Sequence, residues 1–293
     1  MIFPSTFSIV ACDLDERSWG VAVASKFLAV GAVVPWAVST AGAVATQAHA
    51  NTSFGPRGLG LLAEGYSVQA ALDRLLSEDK DREKRQVGIV DAQGGSASFT
   101  GSNCYRWAGG ITGPGFAAQG NILAGEQVVQ SMVSAFTEIR SGDTLADRLY
   151  RALLAGDRSG GDRRGRQSAA ILVVKPKGGY GELNDRWIDY RVDDDPDPVG
   201  RLGELLDLHR LYFGESPESE KVHLTGNLLI ELQSLLKRLG YYQGSLNGSY
   251  DLPTRAAFEA MIGNENFEDR INPEEGTIDR PVLEYLFNHF GEE

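Results

Sequence analysis

The chain reads as an α+β protein in which antiparallel sheets are covered by helices, followed by a small all-α module. Three observations predict this. Apolar residues of period two come in pairs of runs split by short polar turns, the mark of β-hairpins. Helical segments also come in pairs and do not alternate with single strands, which argues against a doubly wound parallel sheet. The pattern suits a four-layer αββα sandwich of antiparallel sheets with helices outermost. The third observation is a change of character at Asp193, where the chain turns acidic and then helical.

The elements follow in order. Thr6–Val10 and Gly20–Lys26 flank the charged turn Asp13–Arg17 and form the opening hairpin; Gly42–Gln47 is a further buried strand. Asn51–Gly58 is a turn rich in Gly, Pro and hydrogen-bonding side chains. Leu59–Glu64 and Val68–Ser77 have helical apolar spacing, with Ser67 as N-cap of the second. Glu78–Arg85 is a solvated charge run. Gln86–Val90 and Ser96–Phe99 make a second hairpin, and Trp107–Ile111 and Phe116–Gln119 are short strands around Gly113-Pro114-Gly115. Helices are expected over Leu123–Arg140 and Thr144–Leu154, the latter capped by Ser141 or Asp143. Strands Ser168–Lys175 and Trp187–Val192 complete the first domain, and a helix Val199–Phe213 closes it. Residues 1–213 form that domain, 214–222 (GESPESEKV) have the composition of a linker, and 223–293 are the module. Its helices are Leu228–Leu239, ending at Gly240 as the C′ residue, Thr254–Ile262 and Arg280–Phe290.

Charge and composition exclude several classes. Residues 1–192 hold 20 Lys+Arg against 19 Asp+Glu, a net of +1, whereas 193–293 hold 8 against 21, a net of −13. An acidic tail is the wrong sign for nucleic acid. No run approaches the roughly 18 apolar residues of a membrane helix, and residues 1–12 lack a signal peptide's basic and apolar regions. Cys12 and Cys104 are too few for a disulfide framework and read as buried free thiols, so the expected compartment is the cytosol. Four scattered histidines and the lack of HExxH or CxxC imply no metal. The Gly58–Ala63 run resembles a dinucleotide fingerprint but follows a loop, so no cofactor is expected.

Several strings carry a family resemblance: GVAVASK at 20–26, AVGAVVPW at 29–36, GAVATQA at 42–48, Asn51 with Gly55, GDRRGRQSAA at 161–170 and DRWIDYRVDD at 185–194. They resemble the bacterial and archaeal family numbered 1028 among domains of unknown function, over roughly residues 5–213. The resemblance implies the fold of the N-terminal nucleophile (Ntn) hydrolases and fixes no reaction. The run LQSLLKRLGYYQGSLNGSYDLPTRAAFEAM resembles a peptidoglycan-binding-like three-helix module, a tail that some family members carry.

Candidate chemistry starts at the hairpin. A hydroxyl begins its first strand and a lysine ends its second, and antiparallel pairing brings such ends together. Thr6 is therefore the candidate nucleophile, with Lys26 lowering its pKa or steadying an anion. Ser5 and Ser8 are alternative hydroxyls. In an Ntn hydrolase the α-amine of the nucleophile is the base, and its ordinary pKa of about 7.7–8.0 suits that task. A free amine at Thr6 requires removal of Met1–Ser5, whereas relatives commonly place the hydroxyl directly after the initiator Met. Gln47, Asn51 and Asn121 are amides at strand ends and turns, able to donate to an oxyanion. Asp162, Arg163, Arg166 and Gln167 crowd before an apolar strand, where arginine forks suit a substrate carboxylate.

Two functional classes follow. One is an Ntn-type amidohydrolase of a small anionic amide. The other is a non-catalytic binding or assembly protein on the same fold. Under either, 223–293 is expected to serve packing or homo-oligomer formation ahead of binding a peptidoglycan fragment, because that ligand lies outside the cytosol.

Overall fold

The computed structural model describes residues 6–214 and 216–291. It contains two compact units, residues up to Glu204 and residues from Leu205. The first is α+β with antiparallel sheets. Its six-stranded sheet has the order β10-β9-β2-β1-β8-β7. In chain order these strands are β1 (Thr6–Asp13), β2 (Ser18–Ser25), β7 (Gly109–Gly113), β8 (Phe116–Asn121), β9 (Ser168–Val174) and β10 (Arg186–Val192). A four-stranded sheet has the order β3-β4-β5-β6, from β3 (Pro35–Val38), β4 (Gly42–Ala48), β5 (Arg85–Asp91) and β6 (Ser96–Thr100).

Strand alternation explains the packing. Val10, Val21 and Val23 of the larger sheet share one core with Ala43, Ala45 and Val90 of the smaller. The alternate residues Val44, Val87 and Ile89 turn the other way, into a core with Phe54, Leu59, Leu72 and Leu75. Those four belong to α1 (Phe54–Ala63) and α2 (Val68–Ser77). On the larger sheet, α4 (Leu145–Arg158) packs on β1, β2 and β9, with α3 (Gln127–Thr137) beside it. Strands covered on both sides read as continuous apolar runs, as β2 and β9 do. Gly55 is needed where α1 meets β3, because a Cβ there would lie 2.2 Å from the Trp36 ring.

Several boundaries differ from expectation, each for a local reason. The helix expected from Leu123 starts at Gln127, because Leu123 and Ala124 donate their N–H groups to Trp107 O and Gly161 O. The cap of α4 is neither Ser141 nor Asp143. Thr144 caps it in a reciprocal capping box with Asp147, while Asp143 is taken by Arg151 at 2.7 Å. α1 begins five residues early at Phe54, since Pro56 is harmless where helix N–H groups lack partners. Strand β3 went unrecognised because Pro35 and Trp36 lie among glycines and alanines without alternation. Ser67 does cap α2, accepting from Ala70 N–H at 3.3 Å.

The second unit is not all-α. It holds α6 (Gly226–Arg238), α7 (Leu252–Glu265) and α8 (Arg280–Phe290), and a small sheet in the order β11-β13-β12. Those strands, β11 (Lys221–His223), β12 (Ile271–Asn272) and β13 (Thr277–Asp279), are two or three residues long, too short to show periodicity. β11 also brings order to the stretch expected as linker. The division between units falls within the residues of α5 (Pro198–Phe213).

Arg270 organises this unit. It is 4% exposed, donates from Nε to Asp279 at 2.7 Å, and gives further hydrogen bonds to the carbonyls of Arg210 and Leu211, both at 2.9 Å. Its remaining nitrogen meets Ser216 Oγ at 3.0 Å. Arg270→Met is expected to destabilise the unit by about 3–5 kcal/mol, because it strands a buried carboxylate and two helix-end carbonyls. Thermal unfolding of the full chain checks this; a shift under about 1 kcal/mol would mean the cluster is dispensable.

Candidate functional site

The site grows from hairpin register. β1 and β2 pair Thr6 with Ser25, and β1 and β8 pair Thr6 with Asn121. Residues paired across strands share a face, so Ser25 and Asn121 flank Thr6. The Thr6 and Ser25 hydroxyls lie 3.3 Å apart. Lys26 follows directly after the last residue of β2, in a bend. Its ammonium donates to Arg166 O at 3.2 Å and its backbone N–H to Asp162 Oδ2 at 2.8 Å. The Thr6 hydroxyl thus meets that of Ser25, while the Lys26 ammonium reaches Arg166 O. Ser5, the other alternative hydroxyl, lies outside the described residues.

Beneath Thr6 a buried amide network fills the space between the sheets. Gln47 Nε2 donates to Thr6 O at 3.2 Å and to Gln86 Oε1 at 2.8 Å. Gln86 also accepts from Asn121 Nδ2 at 3.0 Å and donates to Thr100 Oγ1 and to Gly120 O. Ser8 donates to Gln47 Oε1 at 2.6 Å and accepts from Gln119 Nε2 at 2.7 Å. Ser8, Gln47, Gln86 and Gln119 have no exposure at all. Ser8 is therefore a structural hydroxyl, and Gln47 spends its amide on supporting Thr6 rather than on an oxyanion.

Asn51 serves another purpose. Its Oδ1 accepts from the Ser53 N–H and hydroxyl at the start of α1, and its Nδ2 donates to Asp79 at 2.9 Å. Burial pushes the Asp79 carboxyl up, but the Arg85 guanidinium, the Asn51 amide and the Asp81 N–H outweigh that and hold it at about 2, against an ordinary 3.8. A depressed carboxylate stabilises the fold above its ordinary pKa and loses that contribution as pH falls through the folded value. Asp79→Asn should therefore cost roughly 2 kcal/mol at pH 7, a gap that closes between about pH 4 and 2. Urea titrations of both proteins at several pH values check it; a gap independent of pH would refute the assignment.

The basic loop divides in two. Asp162, 6% exposed, receives the Lys26 N–H and both the backbone and guanidinium of Arg164, pinning the loop to the end of β2. Arg166 donates to Asp157 Oδ1 at 2.8 Å. That contact keeps its guanidinium protonated more firmly than usual. Both Asp162 and Arg166 line a cleft of about 380 Å³, with Phe7, Ser25, Asp157 and Arg158. Arg163 is exposed and Gln167 bonds Asp194 at 3.0 Å; neither lines the cleft. Thr6 does not line it either, being fully buried, whereas its partner Ser25 does.

Ser25, Asp157 and Gln86 escaped the sequence reading. Ser25 was recoverable, since a hairpin that closes with Asp13 opposite Ser18 places Ser25 opposite Thr6. Gln86 and Asp157 gave no local signal. The thiols offer no alternative nucleophile: burial pushes Cys12 to about 11, with Asp91 and Asp13 adding to the rise, and burial does the same for Cys104. Cys104 is half-buried, not buried as expected, and donates to Arg85 O. Among the described residues no group of three or more His, Cys, Asp or Glu side chains is arranged to hold a metal. No helix among them is long and apolar enough to cross a membrane.

Comparison with known proteins agrees with this architecture. No curated protein matches the chain significantly. A crystal structure of a Silicibacter pomeroyi protein, itself assigned to family DUF1028, is 32% identical, covering 70% of this chain and 89% of that one with a TM-score of 0.64. Residues 212–286 match the family described as "Putative peptidoglycan binding domain". Residues 6–202, two thirds of the sequence, match the model described as "Family of unknown function (DUF1028)", and the chain belongs to that family.

Proposed function

We propose that residues 1–213 are an Ntn-type αββα domain that hydrolyses a small anionic amide, with Thr6 as nucleophile. The observation that carries this reading is the Thr6 hydroxyl at the head of a central strand. It sits between Ser25 and Asn121, with a rigid amide network behind it and an arginine cleft next to Ser25. In the reaction the freed α-amine of Thr6 takes the hydroxyl proton as Oγ attacks the amide carbon. The tetrahedral oxyanion forms beside the Asn121 amide, the amine product leaves with the proton, and water releases the acyl group. Arg166 holds the substrate carboxylate, and Lys26 and Asp162 position the loop that bears it. This gives Lys26 a supporting task one step from the nucleophile.

A second reading is favoured by the complete burial of Thr6 and its absence from the cleft. With Met1–Ser5 attached, the protein would bind an anion at Arg166 without turning it over. Intact mass and N-terminal sequencing of purified protein separate the two. A chain starting at Thr6 supports the hydrolase, and one retaining Met1-Ile2-Phe3 supports the binder. For the second unit, full-length protein retained on insoluble peptidoglycan would favour a wall-fragment ligand; recovery in the wash would favour a packing or assembly role.

A further inference from the structure

The first unit carries an apolar knob at the tip of the β9–β10 hairpin and an apolar groove between β3 and α1 that the same hairpin edges. The knob is the turn between β9 and β10, where Tyr180 and Leu183 are 89% and 86% exposed. It is held rigidly. Gly179 N–H donates to Asn184 O at 2.8 Å, Glu182 N–H to Gly179 O at 2.9 Å, and Lys177 N–H to Asp185 Oδ1 at 2.9 Å. The Ser39 hydroxyl bonds Asp185 as well, tying the turn to the β3–β4 connection. A preformed turn loses little conformational freedom on docking, and two large apolar side chains held in water by such a turn mark a contact surface.

The groove, of about 450 Å³, runs beside β3 and α1. Trp36, Val38, Leu59 and Ala63 give it its apolar lining, with Leu172 of β9 and with Arg186 and Arg191 of β10. Both guanidiniums share the single carboxylate of Asp189, at 2.9 and 3.0 Å, so this wall carries an excess positive charge. At the tip of the knob, between its two apolar side chains, stands one carboxylate. Glu182 lies between Tyr180 and Leu183, is 75% exposed at its side chain, and has only a 3.9 Å approach to an equally exposed Lys177.

We propose that the knob of one copy occupies the groove of a second, forming a two-fold dimer. Tyr180 and Leu183 enter the apolar lining, and Glu182 meets Arg186 and Arg191. Three features select a second copy as the occupant. The charge of the Glu182 carboxylate complements the Arg186 and Arg191 guanidiniums of the groove. The apolar parts complement each other, and neither fills the other within one chain, since Tyr180 and Leu183 stand in solvent. The knob and three residues of the groove wall (Leu172, Arg186 and Arg191) lie on the β9–β10 hairpin, and the proposed contact is isologous, each copy giving a knob and receiving one.

Sedimentation equilibrium of the full-length chain over about 1–100 μM tests this. A monomer–dimer equilibrium is expected, weakened about 100-fold in the Tyr180→Ser, Leu183→Ser double variant. Both positions are too exposed to matter for folding, which circular dichroism verifies. Glu182→Arg alone should weaken the dimer about tenfold, and adding Arg191→Glu should restore it. A chain still monomeric near 100 μM would overturn the proposal. So would a dimer whose dissociation constant moves less than about twofold in the double serine variant, because the contact would then lie elsewhere. Failure of the charge swap to recover association would remove the Glu182–arginine pairing.

Discussion

On the proposed mechanism, Thr6→Ala is expected to abolish amide turnover, a loss of at least about 10³-fold, because among the described residues neither Ser8 nor the two thiols can take its place. Ser8 is locked between two glutamines, and both thiols are held protonated at neutral pH. The fold should tolerate the change. Among the described residues the Thr6 hydroxyl contacts Ser25 at a long 3.3 Å, and alanine suits a buried strand, so a cost near 1 kcal/mol is expected. Turnover of N-acyl amino acids by protein verified to start at residue 6 is the measurement. Activity in the alanine variant within tenfold of the parent would transfer the reaction to another residue. Ser25→Ala is the companion: a modest effect would make Ser25 a spacer, and a large one would make it a participant in moving the Thr6 proton.

Gln86→Leu should carry the largest stability cost in the first unit, about 3 kcal/mol. Leucine fills the volume and removes every partner. Gln47 Nε2 and Asn121 Nδ2 lose one acceptor each, while Gly120 O and Thr100 Oγ1 lose a donor, most of them buried. Two of those groups touch Thr6 or pair with it, so catalysis should decline with stability. Urea unfolding gives the first quantity, and turnover at a temperature where the variant remains folded gives the second. A cost below about 1 kcal/mol would show that water replaces the missing amide. The network already runs close to its geometric limit. Gln119 Oε1 is the buried side-chain oxygen without a partner among the described residues, and it faces Gly88, where a Cβ would approach it to 2.2 Å.

The sequence disclosed the parts of this protein that repeat regularly. Strands β1, β2, β4 and β9 and helices α2 and α6 announce themselves through long, single-period runs. Strands β3 and β11–β13 do not, because two to four residues cannot establish a period. The site was half legible. Thr6, Asn121, Asp162 and Arg166 were visible as polar residues at the ends of apolar strands. Lys26 and Gln47 were visible too, yet their tasks depend on facts that composition does not carry. For Lys26 the deciding fact is the Asp162–Arg166 loop, some 140 residues away, that meets it just past the end of its strand. For Gln47 it is which amide, Gln86 on β5, waits across the sheet interface, nearly forty residues away.

The Arg270 cluster bears on how the second unit travels through evolution. Its guanidinium satisfies carbonyls at 210 and 211 and a hydroxyl at 216, all upstream of the first strand of the small sheet. A gene fusion that joined a new partner at residue 223 would carry Arg270 and Asp279 but leave three of the arginine's acceptors behind. A transplant beginning at Leu205 would carry them all. The portable piece is thus longer than its helices suggest, and its inheritance as a cassette should include the final turns of α5.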